Sequence, residues 1–375
     1  MFIPEFKLER TMSLYQHHVK YDLTETGVLP LSVAELISKE EFDKLYSTDF
    51  RLRYIQTDGT KELKEAICSF YNKASPENVL VTSGSAEANL ILSLMFIEKG
   101  DEIAYMLPHY MQIHGLAKAF GAKINPFYLQ ESQAWHFDTD SLRASVTPKT
   151  KFICFCNPNN PTGSILSEKA MDEIVEIASS VGAWIVSDEI YRGAELSGEI
   201  TSSFWNRYDK VIVTGGLAKA FALPGLRVGW LVAPSKIIAK AWSYHDYTSI
   251  CITTLSDYIA QRAFQPEMRR KILRRNRCIA SENLDYLTKW INERNGMFSF
   301  TPTKAGGFAF IKYNHDIPSR DLTMRMMNDK SVFVVPGDCF GVEHFFRISF
   351  GIDLNRLKEA LNLIAETFEE LKAEK

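Results

Sequence analysis

No stretch of the chain reaches the run of about 18 apolar residues that a membrane-spanning helix requires. The opening residues, Met1–Phe2–Ile3–Pro4–Glu5–Phe6, lack the basic segment leading into an apolar one that marks a secretory leader. An excess of one charge is missing as well. The 43 Lys and Arg residues nearly balance 46 Asp and Glu, leaving a formal charge of −3. That balance gives no electrostatic pull toward nucleic acid or an anionic membrane. The one basic run, Arg269–Arg270–Lys271 with Arg274, Arg275 and Arg277, recurs at helical spacing and reads as a solvated helix face. Six cysteines form no Cys-x-x-Cys pair, and the eight histidines are scattered with no His-Glu-x-x-His. Neither a disulfide framework nor a metal site is expected. Internal repeats and low-complexity segments are also absent. A reduced, cytoplasmic protein with no membrane or nucleic-acid partner is the expectation.

What the chain does have is size and an ordered pattern. Its 375 residues are 46% apolar and 24% charged, ordinary for a globular protein of more than one domain. The first segment predicts a helix over Glu5 to His18 and then a loop, Thr24–Glu25–Thr26–Gly27, an arm rather than a domain. From about residue 60, helical periodicity alternates with short apolar runs. Thr60 is placed to cap a helix Lys61–Tyr71 that exposes Glu62 and Lys64 and turns Leu63, Ala66 and Ile67 inward. Val79–Thr82, Glu102–Met106, Phe152–Cys156, Trp184–Ser187 and Val211–Thr214 are apolar on successive residues, as strands buried on both faces are. Helical patterns such as Ala86–Ile97 and Ser167–Ser179 separate them. This is the pattern of an α/β domain on a mostly parallel sheet sandwiched by helices. Beyond about residue 260, long polar helices (Glu267–Asn292, Leu357–Ala373) flank strands at Gly307–Lys312, Val332–Val335 and His344–Phe350, which predicts a smaller α+β module. The expected division is an arm contributing to the small domain at 1–45, a large α/β domain at 46–260, and a small domain at 261–375.

Ligands of a parallel sheet gather at the carboxyl ends of its strands, and the unusual residues fall there. Ser83–Gly84–Ser85–Ala86–Glu87 opens a helix with small residues; a phosphate cradle and an ordinary Gly/Ser turn both fit. Asn157–Pro158–Asn159–Asn160–Pro161–Thr162–Gly163 fixes a rigid turn, with asparagines free either to hold it or to meet a ligand. Asp188, ending an apolar strand, is costly unless it caps a helix or meets a cation. Lys219, in Gly215–Gly216–Leu217–Ala218–Lys219–Ala220–Phe221, is either a surface residue or an amine consumed by chemistry. Arg227, between Gly225 and Gly229, has no nearby acid in sequence. Arg192, after Tyr191, is either a surface helix residue or a partner for an acidic substrate side chain.

In order and spacing, from about Tyr54 to Phe350, these segments resemble the fold-type I pyridoxal-phosphate (PLP) enzymes, specifically class I/II aminotransferases. The resemblance implies a homodimer that moves an amino group between an α-amino acid and a 2-keto acid by a ping-pong mechanism. It implies that Lys219 holds PLP as a Schiff base and carries the α-proton, that Asp188 pairs with the pyridine nitrogen, and that Tyr110, in Pro108–His109–Tyr110, stacks on the ring. Arg227, Ser85 and Ala86 match phosphate ligands. Asn160 and Tyr191 match residues at the phenolic oxygen, and Tyr54 matches a tyrosine reaching the partner subunit's phosphate. Arg347, in Phe346–Arg347–Ile348–Ser349, matches the clamp on the substrate α-carboxylate. Gly27, with Asn160, matches residues closing on the same group. One departure stands out: the family usually has a hydroxyl residue three before the lysine, and often one directly before it, where this chain has Gly216 and Ala218. Tyr21–Asp22–Leu23–Thr24–Glu25–Thr26–Gly27 and Asp246–Tyr247–Thr248–Ser249–Ile250 are similar to capreomycidine synthase, a relative with different chemistry. A PLP lyase, cyclase or oxidase is therefore the second expectation. A ligand-sensing regulator fused to a DNA-binding domain is disfavoured, because the residues before Tyr54 hold no helix-turn-helix pattern.

Overall fold

The computed structural model describes residues 2–47, 49–294 and 296–374. Its centre is an eight-stranded sheet. In spatial order the strands are Val79–Thr82, Gly229–Val232, Val211–Gly216, Trp184–Asp188, Thr150–Cys156, Glu102–Leu107, Lys123–Gln130 and His136–Phe137. The five from Val211–Gly216 to Lys123–Gln130 run parallel. Gly229–Val232 lies antiparallel to both its neighbours, and His136–Phe137 closes the far edge antiparallel.

The two-sided burial read from the apolar runs is visible residue by residue. Val79, Val81, Ile153, Phe155, Ile185, Val211 and Val213 enter one apolar core. The alternating Leu80, Phe152, Cys154, Val186 and Ile212 enter another on the opposite face. Period-two side-chain alternation sends neighbours to opposite faces, so a strand apolar throughout needs cover on both. The helices supply that cover. Thr60 caps Lys61–Cys68 by accepting from the Leu63 N–H at 3.3 Å. Lys64 departs from the exposed position expected of it: its ammonium pairs with Asp58 at 2.5 Å, and both side chains are largely buried.

A second, four-stranded antiparallel sheet runs Phe298–Phe300, Phe308–Tyr313, Phe345–Ser349, Val335–Pro336. With the helices Ser319–Lys330 and Leu354–Ala373 it encloses its own core of Ile311, Leu322, Ile348, Leu361 and Phe368. The expected strand Val332–Val335 is two pieces. Val332–Phe333 pairs parallel with Tyr21–Asp22, and Val335–Pro336 pairs with Phe345–Ser349. Segment Tyr21–Val28 is therefore sewn into this second core, with Leu23 accepting from the Ser349 N–H at 2.7 Å. The 27-residue helix Pro266–Asn292 links the two layers: Ile272 and Leu273 pack on the large sheet, and Leu287 and Ile291 on the small one. All six cysteines are free thiols.

Candidate active site

The register across the large sheet brings strand ends together. Cys156 lies opposite Asp188, and Asp188 opposite Thr214. Thr82, Gly229 and Gly216 lie side by side in the antiparallel part. A cavity of about 410 Å³ opens over these ends, within the usual range for small-molecule sites. Nine of the sequence-predicted residues line it: Ser85, Ala86, Tyr110, Asn160, Asp188, Tyr191, Lys219, Arg227 and Arg347. Gly27 is adjacent through its neighbour Thr26, and its Cα packs on the Ala218 carbonyl, where an added Cβ would stand 3.3 Å from the oxygen. Tyr54 stands outside the cavity, 79% exposed.

Arg347 is buried and points one amino group at Asn160 Oδ1 (2.9 Å) and the other at the Thr24 carbonyl (2.7 Å). Its Nε has no partner in the protein. A buried guanidinium without an anion is costly, and burial lowers its pKa from the usual arginine value. The three asparagines of the rigid turn divide their work. Asn157 Oδ1 accepts from the Leu166 N–H, and Asn159 binds Thr162 and the Pro108 carbonyl, so these two hold the turn. Asn160 is the one presented to the cavity.

Asp188 is buried and accepts from the Ile190 N–H at 3.1 Å. Burial pushes its carboxyl up to about 6, against the opposing effect of that N–H and of the Thr214 and Asn89 side chains. Its neighbour Glu189 is occupied structurally, accepting from the Phe204 N–H and the Ser203 hydroxyl. Tyr191 donates to Thr26 Oγ1 at 2.7 Å. Tyr110 donates to Glu9 Oε1 at 2.8 Å, and its own carbonyl is held by the Tyr105 hydroxyl. Lys219 sits in the tight turn after Val211–Gly216, its ammonium 3.5 Å from Glu25 Oε2. Arg192 does not reach the cavity. It donates to the Thr201 and Phe70 carbonyls and lies over the Phe70 ring at 4.3 Å, so neither a surface role nor one in substrate binding describes it.

On the other side of the cavity, Gly84 has φ +83 ahead of the helix Ser85–Phe96. An added Cβ there would stand 2.5 Å from the Arg227 guanidinium. Arg227 itself is held at φ +52, an uncommon conformation for a side-chain-bearing residue. First-turn N–H groups of a helix have no intrahelical partner, and Ser85 and Ala86 line the cavity wall together with Arg227. A dianion fits this corner. Sequence reasoning missed the contribution of the N-terminal helix Lys7–Tyr15 and the residue before it. Phe6, Leu8, Glu9 and Met12 line the cavity, as do Glu25, Thr26 and Gln112. No local signal marks these residues, because only the tertiary fold brings the arm across the strand ends.

The corner for a phosphate, an amine and a buried acid lining one cavity, and a buried guanidinium whose Nε is unpartnered suit a phosphorylated aldehyde cofactor that receives a carboxylate-bearing amine. That class of chemistry is borne out by similarity. The chain belongs to the aminotransferase class I and II family, whose model matches residues 21–364, and its cofactor is pyridoxal 5′-phosphate. A PLP-dependent aminotransferase from Streptococcus suis 89-1591 superposes with a TM-score of 0.92 and 32% identity over 99% of each chain. Capreomycidine synthase of Streptomyces vinaceus is 25% identical over 371 residues, 97% of this chain and 94% of the synthase. An aspartate aminotransferase of Sulfolobus acidocaldarius is 27% identical over 339 residues, covering 85% of this chain and 83% of the relative. No helix among the described residues is long and apolar enough to cross a membrane.

Proposed function

We propose that the protein transfers an amino group between an α-amino acid and a 2-keto acid, with Lys219, Asp188 and Tyr110 as its catalytic residues. The observation that carries this reading is the convergence of Lys219, buried Asp188 and buried Arg347, its Nε unpartnered, on one cavity. When bound, the cofactor supplies an aldehyde carbon that bonds an amine and a pyridine ring that takes up the electrons freed at the substrate's Cα. The protein's residues do the rest. Ser85, Ala86 and Arg227 bind the phosphate; Asn160 and Tyr191 bind the phenolic oxygen. Asp188 as a carboxylate keeps the proton on the ring nitrogen, because an opposite charge nearby favours the charged form. Tyr110 packs against the ring face. Arg347, with Asn160 and the Gly27 backbone, orients the substrate's α-carboxylate in a planar, two-point contact. Lys219 Nζ, once a free amine, would take up the proton from the substrate's Cα and deliver it to the former aldehyde carbon of the cofactor.

A homodimer in the cytoplasm completes the proposal. Support for a second copy comes from Tyr54, which is too exposed for a residue of the monomer's own site, and from Tyr46, Leu52 and Tyr247, exposed by 88%, 76% and 89%. The division at 1–45, 46–260 and 261–375 is proposed with it, supported by Leu23 and Val28 packing with the small-sheet core. Supplying the cofactor-loaded protein with an amino donor alone tests the function. Accumulation of the amino form of the cofactor, discharged by a keto acid, is the expected result. Its absence, with the donor consumed or cyclised, would move the protein to the lyase or cyclase reading that the synthase relative keeps in view.

A further inference from the structure

Gly216 raises a question about how phosphate is retained. A Cβ at that position would meet Ile190 Cδ1 at 2.9 Å and the Val228 carbonyl oxygen at 3.0 Å, so a hydroxyl side chain there would force Ile190 and the Val228 backbone to shift. Ala218 supplies none either. Within one subunit the phosphate corner is left with Arg227, the Ser85 hydroxyl and backbone N–H groups, and N–H groups bind an anion well only when their turn is fixed. Gly84, at φ +83, has no side chain with which to fix it.

Just behind this turn lies a buried network. Glu87, the third residue of the helix Ser85–Phe96, is 9% exposed. Its Oε2 accepts from the Ser83 N–H at 2.5 Å and from the Ser249 hydroxyl at 2.9 Å, and its Oε1 accepts from the Ser249 N–H at 2.9 Å. His245, fully buried at the end of the helix Ser235–His245, brings Nε2 to 3.4 Å from Glu87 Oε2 and 3.1 Å from Ser249 Oγ. Ser83 Oγ donates to Ser249 Oγ at 3.0 Å. Burial pushes the Glu87 carboxyl up, but the donors converging from His245, Thr248, Ser83 and Ser249 outweigh it and hold it down at about 2. An anion at a helix N-terminus is favourable in itself, yet here it shares that terminus with the phosphate. Its lone pairs are turned back onto Ser83 and Ser249, which leaves the N–H groups of Ser85 and Ala86 to the cavity they line.

We propose that Glu87, braced by Ser249 and His245, is the positioning residue that fixes the Ser83–Ala86 turn for the cofactor's phosphate, compensating for the hydroxyl that Gly216 lacks. This rests on the reading that Ser85, Ala86 and Arg227 take that phosphate. Glutamine does not substitute, because its NH₂ end faces N–H or O–H donors and cannot accept from them. Threonine at 249 keeps both the hydroxyl and the N–H; alanine loses the hydroxyl.

The test compares dissociation constants of full-length protein for PLP and for pyridoxal, which has the aldehyde and no phosphate. Glu87→Gln, Glu87→Ala and Ser249→Ala are expected to weaken PLP by roughly tenfold or more while pyridoxal changes by no more than about twofold, since charge-assisted contacts to the phosphate alone are loosened. Ser249→Thr is expected to retain wild-type selectivity, and so is Ser167→Ala, which removes a cap from the distant helix Glu168–Val181. If the Glu87 variants fail to fold, the Ser249→Ala and Ser249→Thr pair decides. Equal losses for both aldehydes, or no loss in a folded variant, overturns the positioning role. A wild-type protein that binds neither aldehyde fails the underlying cofactor reading instead, and the two failures are thereby distinguished.

Discussion

Asparagine in place of Asp188 gives the cofactor-free protein a pH-dependent stability gain. In the folded protein burial raises this carboxyl to about 6, whereas in the unfolded chain it titrates near the ordinary aspartate value of about 3.9. The folded state therefore holds the proton more tightly. The stabilisation from that proton is complete below about pH 4 and disappears as pH climbs through about 6. The interval is about two units, each worth about 1.4 kcal/mol, so wild type should lose up to about 3 kcal/mol relative to Asp188→Asn between about pH 4 and pH 7. Above that the difference levels off, because the carboxylate is then ionised in both states. Urea denaturation of the two cofactor-free proteins, measured in steps from pH 4 to pH 8, reads this directly, and other titrating groups cancel in the difference. Loading with PLP should reverse the ranking, since a protonated ring nitrogen beside Asp188 restores the preference for the carboxylate. A difference that stays flat with pH would show that Asp188 is not desolvated as the structure has it, and the argument for its ring-nitrogen contact would fail with it.

Arg347→Lys replaces a two-point contact by a point charge and should lower kcat/KM for amino and keto acids alike by roughly ten- to a hundredfold, the loss of about 1.5–3 kcal/mol expected of a charged hydrogen bond; an unchanged value in steady-state assays would remove it from carboxylate binding. Gly216→Ser should destabilise the protein by about 1–3 kcal/mol through overpacking against Ile190 and Val228, and a stable variant with tighter PLP binding would refute that account of the missing hydroxyl. Tyr54→Phe should leave the melting temperature unchanged, since the side chain is 79% exposed, while weakening PLP roughly tenfold, the loss of one hydrogen bond to a charged group. Unchanged affinity, measured by cofactor titration, would leave Tyr54 without a role.

Much of the site was legible because its determinants are local. Strands buried on both faces advertise themselves as unbroken apolar runs, and Asp188, Asn160 and Lys219 are conspicuous where those runs stop. Lys123–Gln130 escaped because it lies toward one side of the sheet, half exposed and interrupted by Pro126. Gly229–Val232 escaped because its antiparallel insertion is a tertiary choice. The break inside Val332–Val335 follows from two different partners, Tyr21–Asp22 and Phe345–Ser349, and nothing in the segment itself announces it. Glu9 and Phe6 at the cavity, Arg192 folded onto Phe70, and the Glu87–His245–Ser249 network all depend on contacts between distant parts of the chain.

The proposed chemistry depends on a covalent bond at one amine, which reductive trapping detects. Purified protein incubated with PLP, reduced with borohydride and digested should yield a single labelled peptide carrying the adduct on Lys219, and Lys219→Ala should neither turn yellow nor take up label. A label on another lysine, or a Lys219→Ala protein indistinguishable from wild type, would contradict it.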